Sequence, residues 1–466
     1  MNVRTRFCAI AMLLTIGVTY CAVQSGTIEH QRNEILQTVK NDQIPYVDFL
    51  FTDILGNLRS VTIPSYNLAS ALTDGIKCDG SSIPGFSSIY ESDMHIQPDL
   101  STFSIVRSSE CPSASIICCV QRSEDQGYEA DARTLLKAQL DRAHQLGFEF
   151  FVGPELEFFL TRNDDQEVVP VDNGGYFSTS PLHYQSIETK EILQFLLDQG
   201  IRVEKLHHEV APGQYEVSLP YSNALSMADT IVRTKQAIKM YADRYGMRAT
   251  FMPKPLEGKN GSGMHIHFSL YNLIERCNAF YDEYDHNKLS PLAKQFIAGV
   301  LDHIPAMTAF LNPTVNSYKR LVAGFEAPVY ICWATKNRSA LIRIPQINHN
   351  QASAARAEIR SPDAMANPYL AFAVLLAAGL DGIERELALD AQLEENVYRL
   401  SPNEILKKGI ATLPAFLDEA LDNLDQDALM GQALSSRLID EFITLKKKEL
   451  RAYRQAISPW EIAHYF

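Results

Sequence analysis

From about residue 130 the chain repeats one arrangement three times: an amphipathic run with helical spacing, a glycine stop, then two strand-like runs joined by a turn. Ala130 to Leu146 stops at Gly147 before FEFFVGPELEFFL, and Glu188 to Gln199 stops at Gly200 before IRVEKLHHEVAPGQYEVSL. Ser226 to Tyr245 stops at Gly246 before MRATFMPKP and GSGMHIHFSL. Glycine ends a helix readily because it enters the left-handed conformation without a Cβ penalty. Helices alternating with antiparallel strand pairs predict one sheet, a partial barrel, backed by helices on one side.

The flanking sequence extends that plan. IEHQRNEILQTVKN has the pattern of a short amphipathic helix, and YVDFLFTDILGNLRSVTIP alternates around an LGN turn as a β-hairpin does. Residues 27–125 therefore predict a small α+β domain, and residues 126–466 a larger one. Beyond the third repeat, Pro291 to Leu311 reads as a helix, followed by a loop-like NPTVNSYKRLVAGFEAP and apolar strands in VYICWA, ALIRI and ARAEIR. Asn367 with Pro368 makes a helix start for YLAFAVLLAAGLDGIEREL, whose apolar centre is too short to cross a bilayer. The first 26 residues stand apart. Phe7 to Val23 is almost wholly apolar behind Arg4 and Arg6, the pattern of a secretory signal, a short anchor or a mis-assigned start.

Composition narrows the function classes. The 466 residues are 46% hydrophobic with 42 Lys plus Arg against 56 Asp plus Glu, a net charge of -14. That balance gives no electrostatic support for broad nucleic-acid binding. Eight cysteines are scattered without a CxxC pair, which fits thiols in a reducing compartment.

Candidate chemistry gathers on the strands. His265 and His267 stand two apart behind a glycine-rich turn, so a strand puts both on one face. They are either ligands or a hydrogen-bonded core pair. Glu155 and Glu157 share a face in GPELEFF, where a solvated edge strand is the plain alternative; Glu209 and Glu216 flank a Pro212-Gly213 turn; Glu358 and Arg360 share a face in AEIRS. Two carboxylates about 4 Å apart repel by roughly 4 kcal/mol at an effective dielectric near 20, so converging acids need cations to stay ionised. Carboxylate oxygens with one imidazole favour Mg²⁺ or Mn²⁺ over Zn²⁺. With Arg320, Arg338, Arg343, Arg356 and Arg360 downstream, such ions make a site for phosphates and carboxylates, and phosphoryl transfer is the reaction class indicated. Asp53 in TDILG, by itself, reads as a turn-forming residue.

DGSSIPGF, GPELEFF, HHEVAPGQYE, FMPKP with NGSGMHIHFS, NPTVNSYKRLVAGFEAP, NRS and AEIRSPDAMANPYLA together resemble type I glutamine synthetases, closest to the shorter alpha form, from about Thr27 to Phe466. The resemblance implies a β-grasp-like N-terminal domain (27–125) before a catalytic domain (126–466), α+β overall, stacked as two six-membered rings. It implies ATP-dependent ligation of ammonia to L-glutamate through a γ-glutamyl phosphate, with two or more Mg²⁺ or Mn²⁺ ions per site. By similarity Glu157, Glu209 and Glu216 would hold one ion, and Glu155, His265 and Glu358 the other. Glu204, His267, Ser269, Arg338, Arg343 and Arg356 would face ATP. Glutamate would sit on Asn260, Gly261, Arg320, Glu326, Arg338 and Arg360. Arg338 would also stabilise the transferring phosphoryl group. Asp53, against its plain reading, would take the proton from ammonium in a neighbouring subunit's site, and Glu326 would close over the acyl phosphate.

Several positions depart from the family pattern. Pro84 and Ser88 replace the usual residues of the DGSSIPGF region, which puts glutamine feedback through that loop in doubt. Ala323 and Phe325 replace Pro and Tyr beside the lid residue Glu326, and PQINHNQASA lacks basic residues often found before Arg356. A ligase joining glutamate to a polyamine or other amine, and a non-catalytic relative, are the alternatives; intact metal positions and Asp53 favour the ammonia enzyme. Because the reaction consumes ATP, the resemblance implies a cytoplasmic enzyme, with a membrane-tethered or exported form left open by the N-terminal stretch.

Overall fold

The computed structural model describes residues 27–86, 93–106, 112–123, 126–162, 168–179, 185–324, 327–347, 351–395 and 397–466. The apolar N-terminal stretch, Ser88, Phe325 and Glu326 lie outside them. Two units divide the chain: 1–51, 59–79 and 93–126 form the smaller, and 52–58, 80–92 and 127–466 the larger.

In the smaller unit a helix over residues 27–41 precedes a sheet ordered Leu58–Pro64, Tyr46–Thr52, Ser113–Ser123, Asp93–Pro98, Ile76–Asp79. The central strand Ser113–Ser123 is parallel to Tyr46–Thr52 and antiparallel to Asp93–Pro98. Its SASIICCV run is buried almost throughout, as a strand covered on both faces requires. Cys118 and Cys119 on it are free thiols.

The larger unit is organised on one strand. FEFFVGPELEFFLTR was expected to be two runs and is instead a single strand, Phe148–Arg162, in a ten-stranded, curled half-barrel sheet. Met264–Asn272 pairs antiparallel with residues 148–156, and Met247–Thr250 with residues 159–162. The third pair of runs thus lies along the long strand rather than forming a hairpin with itself. Lys205–His208 and Gln214–Ser218 do form the expected hairpin, turning through Gly213 at φ 67°. The downstream strands are shorter than their apolar runs: Trp333–Ala334, Ile342–Arg343 and Ala357–Ile359. The α+β class and the helix-backed sheet stand as expected.

Alternation sorts the long strand's side chains by parity. Phe150, Val152, Leu156 and Phe158 are buried on one face together with Met264, Ile266, Phe268 and Leu270 of the neighbouring strand. Phe150 and Phe268 pack on Phe296 of the helix Pro291–Leu311, with ring centroids 6.1 and 5.4 Å away. That helix meets Pro368–Glu384 at backbone distance, since a Cβ at Gly299 would lie 2.1 Å from Ala378 O and one at Gly379 2.1 Å from Phe296 Cζ. Asn367 caps the second helix by accepting from Tyr369 N.

The helices that stop at Gly147, Gly200 and Gly246 run Ala132–Gln145, Gln185–Asp198 and Ala224–Arg244, and all three glycines have positive φ. Two of them are tied to Pro368–Glu384 by a buried charge pair. Arg133 Nε and Nη2 each donate to Asp229 at 2.9 Å, and Tyr369 OH donates to Asp229 at 2.7 Å. No helix among the described residues is long and apolar enough to cross a membrane.

Removing one partner of a buried, hydrogen-bonded ion pair strands the other charge, at a cost of about 3–5 kcal/mol. Asp229→Ala is expected to lower stability by about that amount, read as a shift in urea midpoint; an unchanged midpoint refutes the role given to this tie.

Candidate active site

The opposite parity carries the chemistry. On one sheet face Arg343 lies opposite Glu358, and Glu358 opposite His267. His265 lies opposite Glu155, Glu155 opposite Ser218, and Ser218 opposite Lys205. Glu157 lies opposite Glu216, which lies opposite His207. Strand register alone therefore brings acids separated by up to two hundred residues into adjacent rows.

They line a cavity of about 980 Å³. Of the residues expected at the site, Glu155, Glu157, Glu204, Glu209, Glu216, His265, His267, Ser269, Arg338, Arg343, Arg356 and Arg360 line it. Glu358 is fully buried beneath. Asn260, Gly261 and Arg320 line a small adjoining cavity with Glu157, Glu209 and His265. Gly261 is demanded there, because a Cβ would lie 2.1 Å from Pro253 O. Asp53 does not line either cavity: it is buried in its turn, accepting from Asn57 N at 2.9 Å and Asn57 Nδ2 at 3.1 Å.

Three groups among the described residues have donor atoms close enough together to share an ion, and two of them are on this face: Glu155 with His267 and Glu358, and His207 with Glu209 and Glu216; the third, Asp302 with His303 and Asp381, lies apart from it. Both histidines of the HxH pair reach Glu155, His265 Nδ1 at 3.4 Å and His267 Nε2 at 3.3 Å. His207 stands where Glu157 was expected, and His267 where His265 was expected. Glu157 instead accepts from Gly263 N at 2.9 Å and Gln214 Nε2 at 3.0 Å.

The electrostatics are those of an acid cluster short of cations. Burial, opposed by Arg320, pushes the Glu157 carboxyl up to about 7. Burial, with Glu157 and Glu216 nearby, pushes Glu209 up to about 8. Burial acts the same way on Glu155, but hydrogen bonds from His265 and His267 hold it well below the usual carboxylate range. Burial, helped by Arg360 and opposed by Glu155 and Glu358, lowers His265, which favours the neutral imidazole that can donate a lone pair. A mostly carboxylate donor set with imidazole, crowded beyond what its own cations neutralise, fits divalent oxygen-seeking ions.

The arginines face both ways. Arg360 Nη1 donates to Glu358 at 2.6 Å while Arg343 Nε lies 2.7 Å from its other oxygen. Arg320 Nη1 donates to Ser361 O at 2.7 Å. Arg360 Nε and Ser262 Oγ are buried without a hydrogen-bond partner among the described residues, an arrangement suited to an anionic, polar ligand.

Sequence reasoning missed His207, Lys205 and the support below them. Asp172 Oδ1 accepts from Gly174 N at 2.7 Å and Gly213 N at 3.0 Å and lies 2.9 Å from His208 Nε2, while Tyr215 OH donates to its other oxygen. This knot fixes the hairpin that carries Glu209 and Glu216. The doubled histidine in LHHEV was the available signal, since strand alternation sends one ring to each face.

A family model described as glutamine synthetase, catalytic domain, matches residues 129–465, and one described as glutamine synthetase, beta-Grasp domain, matches residues 43–123. The chain is 42% identical over 452 residues to the glutamine synthetase of Methanocaldococcus jannaschii, covering 94% of this chain and 98% of that one. It is 41% identical to that of Thermus thermophilus, covering 94% and 99%. Among solved structures, the Plasmodium falciparum glutamine synthetase matches with a TM-score of 0.83 at 28% identity, covering 93% and 98%. A GmaS/ADP complex matches with a TM-score of 0.84 at 30% identity, covering 92% and 98%.

Carboxyls raised in the fold, as Glu157 and Glu209 are, contribute stability that is complete below their ordinary value of 4.5 and lost as pH rises through about 7 and 8. In chelator the melting temperature is expected to fall across that window, and added Mg²⁺ to recover it at the alkaline end. A melting temperature that rises with pH in chelator, or ignores Mg²⁺, contradicts the electrostatics described.

Proposed function

The chain belongs to the glutamine synthetase family of carbon–nitrogen ligases, and on that premise we propose that it forms L-glutamine from L-glutamate, ammonia and ATP through γ-glutamyl phosphate. The observation that carries this reading is one cavity lined by Glu155, His267, Glu209 and Glu216, members of two carboxylate–histidine groups, beside Arg338, Arg343, Arg356 and Arg360.

A carboxylate is a poor electrophile. Its oxygen attacks the γ-phosphorus of ATP, ADP leaves, and the resulting acyl phosphate is open to attack at carbon. Glu157, Glu209 and Glu216 would hold one Mg²⁺ or Mn²⁺, with His207 adjoining, and Glu155, His265 and Glu358 a second. Bound there, the ions would supply positive charge that offsets the negative charge of the transferred group. Arg338 adds a positive charge at the same place. Glu204, His267, Ser269, Arg343 and Arg356 position the nucleotide, while Asn260, Gly261, Arg320 and Arg360 take the amino acid. Asp53 binds ammonium and accepts its proton; the freed lone pair attacks the acyl carbon, and the C–O bond breaks as phosphate leaves with the second proton shed by the nitrogen. Glu326 excludes water from the acyl phosphate.

Since Asp53 lies outside the cavity of its own chain, it serves a neighbouring copy, in a dodecamer of two stacked rings. The C-terminal segment supports assembly: Ile457, Trp460, Tyr465 and Phe466 are exposed apolar side chains. ATP dependence makes the cytoplasm the working compartment.

Phosphate release from ATP is expected only with glutamate, a divalent ion and ammonium together. Turnover with an organic amine but not ammonium would replace this reading by glutamate–amine ligation. Asp53→Ala is expected to cut ammonium-dependent turnover by about 10²-fold or more, the usual worth of a proton acceptor. Unchanged ammonium kinetics in that variant would remove Asp53 from the mechanism.

A further inference from the structure

The two metal-capable groups are separate, yet one side chain touches both. Lys205 Nζ lies 3.4 Å from Glu216 Oε1 and 3.7 Å from Glu155 Oε1. Glu216 belongs to the group with His207 and Glu209, and Glu155 to the group with His267 and Glu358. Register explains the reach. Lys205 is on the last strand of the sheet, directly opposite Ser218, which is in turn opposite Glu155.

Two other cations on this face are held more closely. Arg343 and Arg360 reach Glu358 at 2.7 and 2.6 Å with side chains 20% and 7% exposed. Lys205 is held differently. Its side chain is 49% exposed, and both of its contacts exceed the roughly 2.7–2.9 Å of a well-formed charge-assisted hydrogen bond. A lysine ammonium is a compact point charge on a flexible stem, so it can leave without breaking a fork of hydrogen bonds.

We propose that Lys205 is a built-in counter-cation that bridges the two carboxylate groups and competes with the divalent ions for Glu155 and Glu216. An ion ligated by either carboxylate and the ammonium beside it repel each other, so metal binding drives Lys205 outward into the cavity. Lys205 thereby sets how tightly the ions are held. The inference rests on the carboxylates being metal ligands.

Mn²⁺ binding to the metal-free full-length protein, measured by calorimetry, tests it with wild type, Lys205→Met and Lys205→Arg. Methionine keeps an apolar stem at a half-exposed position on the outermost strand. Loss of two partly exposed ion pairs is expected to tighten Mn²⁺ binding about three- to tenfold, while Lys205→Arg stays near wild type. Binding unchanged or weakened in Lys205→Met overturns the proposal, as does Lys205→Arg binding as tightly as Lys205→Met. Absence of Mn²⁺ binding to wild type would instead overturn the metal-site reading itself.

Discussion

Repulsion among like charges is the constraint on which this molecule depends. Glu155, Glu157, Glu209, Glu216 and Glu358 share one sheet face, and four of them are buried. Carboxylates so placed cannot all ionise without cations, and the surrounding chain supplies several. His207, His265 and His267 abut them, Arg343 and Arg360 grip Glu358, and Lys205 bridges the two groups. Glu157 and Glu209 remain underserved, and their raised carboxyls mark where a divalent charge is needed.

Holding acids together against that repulsion takes a stiff frame. The long strand Phe148–Arg162 provides it, because one continuous element sets the register of the strands on both its sides. Its even-numbered face buries Phe150 against Phe296 of the helix Pro291–Leu311, whose backbone in turn meets that of Pro368–Glu384 at glycines. The apolar face is therefore what makes the charged face affordable. Asp172, with four donors, plays the same part for the hairpin.

Much of this was legible in the residues. The glycine stops at 147, 200 and 246, the Asn367-Pro368 helix start and the shared faces of Glu155 with Glu157 and His265 with His267 follow from local rules of conformation and alternation. What stayed hidden depends on partners distant in sequence. FEFFVGPELEFFL contains a Gly-Pro that reads as a turn, yet pairing on both edges carries the strand through it. Local pattern likewise says nothing of Lys205 meeting Glu155, or of His207 rather than His208 facing the acids; the hairpin's register decides both. Asp53 is the extreme case. Its turn is fully explained by Asn57, and only the family resemblance gave it a chemical task.

Glu358 couples the two arginines beside it. Its two oxygens are taken by Arg360, which we assign to the amino acid, and Arg343, which we assign to the nucleotide, and His267 faces it across the strand pair. A carboxylate shared in this way makes the two arginines competitors for one negative charge. Whatever draws Arg343 toward a phosphate leaves Arg360 with more of Glu358, and the reverse holds equally. On those assignments, binding of one substrate would alter affinity for the other by the same factor in both directions, a heterotropic linkage carried by a single side chain.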